Sequence, residues 1–133
     1  MSMLELRNNL IEIKEYEDCY RILDTRGETI SKWYKEDLDE DEEIKLIYAF
    51  NDIIYTTDEI ELIKQLQQLD SDITECYCCS AIEMFKNSYK YEIEDSTIAQ
   101  EMLKLLDENK VAKYLLKNEC INKIGKYFIY YNN

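Results

Sequence analysis

Residues 36–43, EDLDEDEE, pack seven carboxylates into eight positions of a 133-residue chain that has no proline, no histidine and two glycines. Carboxylates at that density suit three kinds of chemistry: holding a divalent cation, acid–base catalysis by a pair, or meeting a basic partner. An EF-hand loop needs glycine at its sixth position and glutamate at its twelfth. Counted from Asp37, those positions are Glu42 and Tyr48, so the calcium pattern fails and only unselective cation binding is left. Acid–base catalysis needs two carboxylates set across a cleft, and a chain with 29 acidic residues singles out no such pair.

The cysteines are the second chemical group. Cys76, Cys78 and Cys79 crowd into "ECYCCS", with Cys19 and Cys120 far away. On a helix Cys76 and Cys79 would share a face and Cys78 would point elsewhere, so a four-thiolate zinc site would have to recruit both remote cysteines. An odd number of thiols with three in one cluster is also a poor disulfide framework. We expect thiols that pack as small apolar groups, with no metal and no cofactor. Without histidine, a nucleophilic Ser or Cys lacks its usual base. Gly27 and Gly125, standing alone, make no phosphate-cradling loop. The reading is therefore non-enzymatic, with no catalytic residues.

The formal charge of −13 is unevenly spread. Taking away residues 36–43 removes seven acids and no base and leaves −6 on the rest. From Lys110 onward five lysines face Glu119 alone. The terminal "KYFIYYNN" interleaves lysine with aromatics as single-strand binding surfaces do, but phosphate would meet the field of an acidic molecule. Core packing of these aromatics, with no direct nucleic-acid contact, is the expectation.

These residues must be carried by regular elements. Met3, Leu6, Leu10, Ile13, Tyr20 and Leu23 step by threes and fours, which predicts a helix from about Met3 to Asp24, stopped by Gly27. Ile30, Trp33, Tyr34 and Leu38 predict a short second helix closed by the acidic run. A third follows over Glu42–Tyr55. Capping boxes at Thr56/Glu59, Asp72/Glu75 and Thr97/Gln100 predict three more, and "KVAKYLLKNEC" reads as helical. The expected fold is mostly α: one acidic helical domain over residues 1–133, of about six or seven helices. It leaves room for one short two-stranded β element near residues 89–94 and 126–131. No apolar run spans a bilayer and no secretory signal opens the chain, so the expected compartment is the cytoplasm, away from membranes.

An acidic block placed between aromatic-bearing segments costs like-charge repulsion, which a strongly basic partner would offset. The expected function is a non-catalytic inhibitor that fills the basic cleft of a nucleic-acid-processing enzyme or toxin. An immunity protein against a nuclease toxin ranks first. A phage- or virus-encoded anti-defence inhibitor comes second, and a helical adaptor or virulence protein third. The expected partner-binding residues are Glu36, Asp37, Asp39, Glu40, Asp41, Glu42 and Glu43, with Trp33 and Tyr34 as aromatic anchors.

Overall fold

In a computed structural model, residues 3–118 and 121–131 are described, apart from the side chains of Glu75 and Cys76. The fold is mixed α and β, which corrects the mostly helical expectation. Strands β1 (Glu5–Arg7), β2 (Glu12–Glu15), β3 (Cys19–Leu23) and β4 (Thr29–Tyr34) form an antiparallel meander. Then come α1 (Glu40–Ile53), α2 (Glu59–Leu69), β5 (Ile73–Cys78), α3 (Ala81–Ser88), α4 (Lys90–Glu94), α5 (Thr97–Leu103) and α6 (Glu108–Asn118). A closing hairpin, β6 (Ile121–Ile124) and β7 (Tyr127–Tyr131), joins β5 in a second antiparallel sheet of order β5-β7-β6.

The first predicted helix is three strands because its spacing comes from hairpins. Successive side chains point to opposite faces of the sheet, and on the inner face Leu6 lies opposite Ile13, which lies opposite Ile22 across the ladder. The three-and-four steps between Leu6, Leu10 and Ile13 span a turn, where the Asn8 carboxamide oxygen accepts from Leu10 N–H at 2.8 Å and Ile11 N–H at 2.9 Å. The second predicted helix is β4, with Trp33 opposite Tyr20.

The predicted Asp72/Glu75 box is a strand as well. Ile73, Thr74 and Tyr77 suit the pleat, and the helix starts later, at α3, capped by Ser80. Conversely, residues 90–94 are the short helix α4 and not a strand, so β7 pairs with β5 and β6 instead. Helices α2 and α5 begin as expected to within two residues, although their caps are Asp58 and Ser96 rather than Thr56 and Thr97.

The inner face of the meander, α1, α2 and one face of the second sheet share one core, including Ile13, Tyr20, Ile22, Phe50, Leu62, Leu66, Ile124 and Ile129. The other face of the second sheet packs on α3 and α6 through Ala81, Met84, Val111, Leu115, Ile121 and Phe128. A sheet covered on both sides explains the nearly unbroken apolar run of β7, YFIYY. Its hairpin turns at Gly125–Lys126, where φ of Gly125 is +58° and a β-carbon would run into the Glu59 side chain.

One buried polar node joins the two sheets. The Asp24 carboxylate accepts from Arg26 N–H and Glu28 N–H in its own turn and from the Arg26 guanidinium at 2.9 Å. It also accepts from the Asn122 carboxamide of β6 at 3.1 Å, and Asn122 donates to the Thr29 carbonyl at 3.2 Å. Asp24→Ala should lower stability by about 3 kcal/mol, because it strips partners from buried donors and loosens the only carboxylate shared by both sheets among the described residues. Urea unfolding at neutral pH, read as a fall in midpoint at unchanged slope, checks it.

Candidate partner-binding face

The acidic run is the junction between β4 and α1. A 3₁₀ turn, Lys35–Asp37, leads through Leu38 to Asp39, the N-cap of α1. Asp39 Oδ1 accepts from Glu42 N–H at 2.8 Å while Glu42 Oε1 accepts from Asp39 N–H at 3.2 Å, a reciprocal capping box. Glu43, one position on, accepts the hydroxyl of the buried Tyr20. Three of the seven acids thus have local structural work. All of those in the first turn also face the positive end of the helix dipole.

Glu36, Asp37, Glu40 and Asp41 are different: they are exposed and form no ion pair among the described residues. Glu40 and Asp41 continue into an exposed stripe on α1. Leu46, Phe50 and Ile53 point inward, whereas Glu40, Ile44 and Tyr48, spaced by fours, lie on the opposite side of α1. Ile44 is 47% exposed and Tyr48 69%, and Tyr55, just past the helix end, is 82% exposed. The signal was present in the sequence as two apolar stripes on one helix, of which only one can face the core.

The two aromatic anchors expected from the sequence part company. Trp33 is half-buried, edge-on to Phe50 at 5.5 Å between ring centres, and packs against the shared core. Tyr34 is exposed, on the outer face of the meander, with Lys32 Nζ 4.3 Å from its ring centre. Glu36 and Asp37 follow it in the chain with only Lys35 between, so the exposed Tyr34 lies close to the acids while Trp33 is turned to the core.

Cys19 is buried in β3, Cys78 is half-buried and Cys79 exposed, while the Cys76 side chain and Cys120 lie outside the described residues. No group of three or more potential metal ligands occurs among the described residues. Phe128 and Ile129 of the terminal aromatic segment are buried, and Lys123 and Lys126 lie against the rings of Phe128 and Tyr127. Among the described residues no helix is long and apolar enough to cross a membrane. No family model, no curated protein and no solved structure matches this chain.

Two titrating groups anchor the acidic junction. Burial, and then the Glu43 carboxylate, push the Tyr20 phenol well above its ordinary value. The Glu15 carboxyl is held below the ordinary carboxylate range by the bond from Lys35, 2.6 Å away, and by Leu4 N–H. A raised phenol contributes stability that is complete below its unfolded value of about 10 and is lost as pH rises above it. A lowered carboxyl contributes stability present above its unfolded value of about 4.3 and lost as pH falls through the lower folded value. Tyr20→Phe should cost about 1 kcal/mol at pH 7 and flatten the alkaline limb of stability above about pH 10. Glu15→Gln should flatten the acid limb below about pH 4.3 instead. Urea midpoints measured from pH 3 to 11 read both limbs.

Proposed function

We propose that the protein is a non-catalytic inhibitor that docks the head and outer face of α1 onto a basic cleft of a nucleic-acid-processing enzyme, in the manner of an immunity protein neutralising a nuclease toxin. The observation that carries this reading is a run of exposed carboxylates without an ion pair among the described residues, Glu36 and Asp37 in the 3₁₀ turn and Glu40 and Asp41 at the start of α1, leading into the exposed Ile44 and Tyr48 on the outer side of α1. Charge at the head of a helix accelerates encounter with a cationic surface, and a tyrosine stripe beside it supplies contact area that slows departure. A cleft built to neutralise phosphate offers the complementary charge. Carboxylates gathered at one helix start suit a single patch on one enzyme. A mimic of nucleic acid would spread them at phosphate spacing over much of the surface.

A second reading, an adaptor for apolar peptides, has its own observation. Phe85, Tyr89, Ile93, Met102, Leu103 and Leu106 line an open groove of about 230 Å³ between α3, α4 and α5. Salt separates the two readings, because screening weakens the first mode and leaves the second unchanged.

The test is capture of partners from the source cell at low salt, elution along a sodium chloride gradient, and assay of the released protein for nuclease activity with and without this chain. A basic nuclease that elutes as salt rises and is inhibited on re-addition supports the proposal. A partner retained in high salt and displaced by an apolar peptide replaces it with the adaptor reading. With the partner in hand, neutralising Glu36, Asp37, Glu40 and Asp41 to Gln or Asn should slow association about tenfold and flatten its salt dependence, because these four hold no cap. Tyr48→Ala should instead raise the dissociation rate at unchanged stability, measured by surface plasmon resonance and urea unfolding.

A further inference from the structure

The outer face of the meander carries a row that the inhibitor reading does not use. Glu5, Lys14, Arg21 and Lys32 stand directly opposite one another across β1, β2, β3 and β4, which puts three cations side by side at a strand spacing of about 4.8 Å. Like charges in direct register destabilise a sheet. In a chain with 29 acids and 16 bases, compensation would be easy to supply. Yet only Lys14 has a carboxylate partner, Glu12 at 3.4 Å, while Arg21 and Lys32 form no ion pair among the described residues. Arg21 instead lies over the Tyr16 ring at 4.9 Å, and its Nε is buried without a hydrogen-bond partner among the described residues. Lys32 lies over Tyr34.

This cationic row ends, along β4, at the unpaired acids Glu36 and Asp37. A surface with adjoining patches of opposite charge matches a second copy of itself turned by a two-fold axis, since each patch then meets its complement. A phosphate chain fits less well. Laid along the row it runs onto Glu5, and laid along β4 it runs onto Glu36 and Asp37. We propose that two copies of this chain associate through these patches, the 3₁₀-turn acids of each seated on the Lys14–Arg21–Lys32 row of the other. The dimer covers acids that a basic partner would also need, so self-association and partner binding exclude one another. Two −13 molecules repel at long range, but a Debye length of about 10 Å at 0.1 M salt confines that repulsion while contact pairs persist.

The test uses the full chain in sedimentation velocity at about 0.1 M and 1 M sodium chloride, a range over which the Debye length falls from about 10 to 3 Å. The expected result is a dimer at the lower salt and a monomer at the higher. Lys14→Glu/Lys32→Glu should be monomeric, Glu36→Lys/Asp37→Lys should be monomeric, and an equimolar mixture of the two should recover the dimer, since the swap restores both contacts. Circular dichroism confirms that each variant folds, and Lys32→Gln alone, expected to weaken the dimer several-fold, serves if a double variant does not. The proposal is overturned by a wild-type chain that stays monomeric at high concentration, by a dimer that survives 1 M salt, or by a mixture that fails to reassociate. It is equally overturned if monomeric wild-type protein binds a single-stranded oligonucleotide through the row and Lys14→Glu/Lys32→Glu abolishes that binding.

Discussion

Phe50 sits where the layers of this protein meet. Its ring is fully buried, tilted against Tyr20 of β3 at 5.9 Å and edge-on to Trp33 of β4 at 5.5 Å. Together with Leu46 and Ile53, that contact seats α1 on the meander. Aromatic pairs of this geometry add to the burial of their large surfaces, so one residue secures both the helix and the strands it crosses. From this seat the rest follows: α1 brings its carboxyl-terminal end near β1, where the Asn8 carboxamide donates to the carbonyls of Ile54 and Thr56 at 2.9 and 3.1 Å.

The same seat determines what the acidic run does. With Phe50 held inward, the start of α1 lies beside Tyr20, whose hydroxyl meets Glu43, and Asp39 and Glu42 close the helix start on each other. Charge that looks like pure repulsion in a linear reading is largely absorbed by the helix dipole and the cap. What is left over is small and specific: four carboxylates without an ion pair among the described residues, at the corner where the meander gives way to α1. They lie close in the chain to exposed Tyr34 and lead into the exposed Ile44 and Tyr48 of α1, and it is this corner that the proposed partner would meet.

The polar interior is equally economical. Asp24, Asn122 and Ser31 are buried, and each has a partner: the first two bond each other, and Ser31 donates to Asp70 at 2.8 Å. Both bonds run from the meander to elements that follow it, one to the second sheet and one to the end of α2, so they specify how these parts are set and contribute less to net stability than the apolar core does. Helix α3 is closed in a similar way, by the Glu108 carboxylate accepting from Ser80 and from the first amides of the helix.

Helices α1, α2 and α6 and the core packing of Phe128 were legible in the amino-acid sequence alone, because helix periodicity, caps and β-rich composition are local properties. The sequence of the first 34 residues misled for a physical reason: short strands separated by tight turns reproduce steps of three and four, and only a ladder partner elsewhere in the chain distinguishes them from a helix. Asn8 and the Asp24–Gly27 turn were the local signs that favoured hairpins. The placement of the site was likewise a tertiary decision. Trp33 and Tyr48 are both aromatic residues near the acids, and which one faces solvent depends on the side from which Phe50 and the core approach. Composition and spacing determined several of the helices and a carboxylate-rich stretch, but not the two antiparallel sheets. Long-range pairing and packing alone decided that the corner adjoins a sheet, since those contacts join residues the sequence holds far apart.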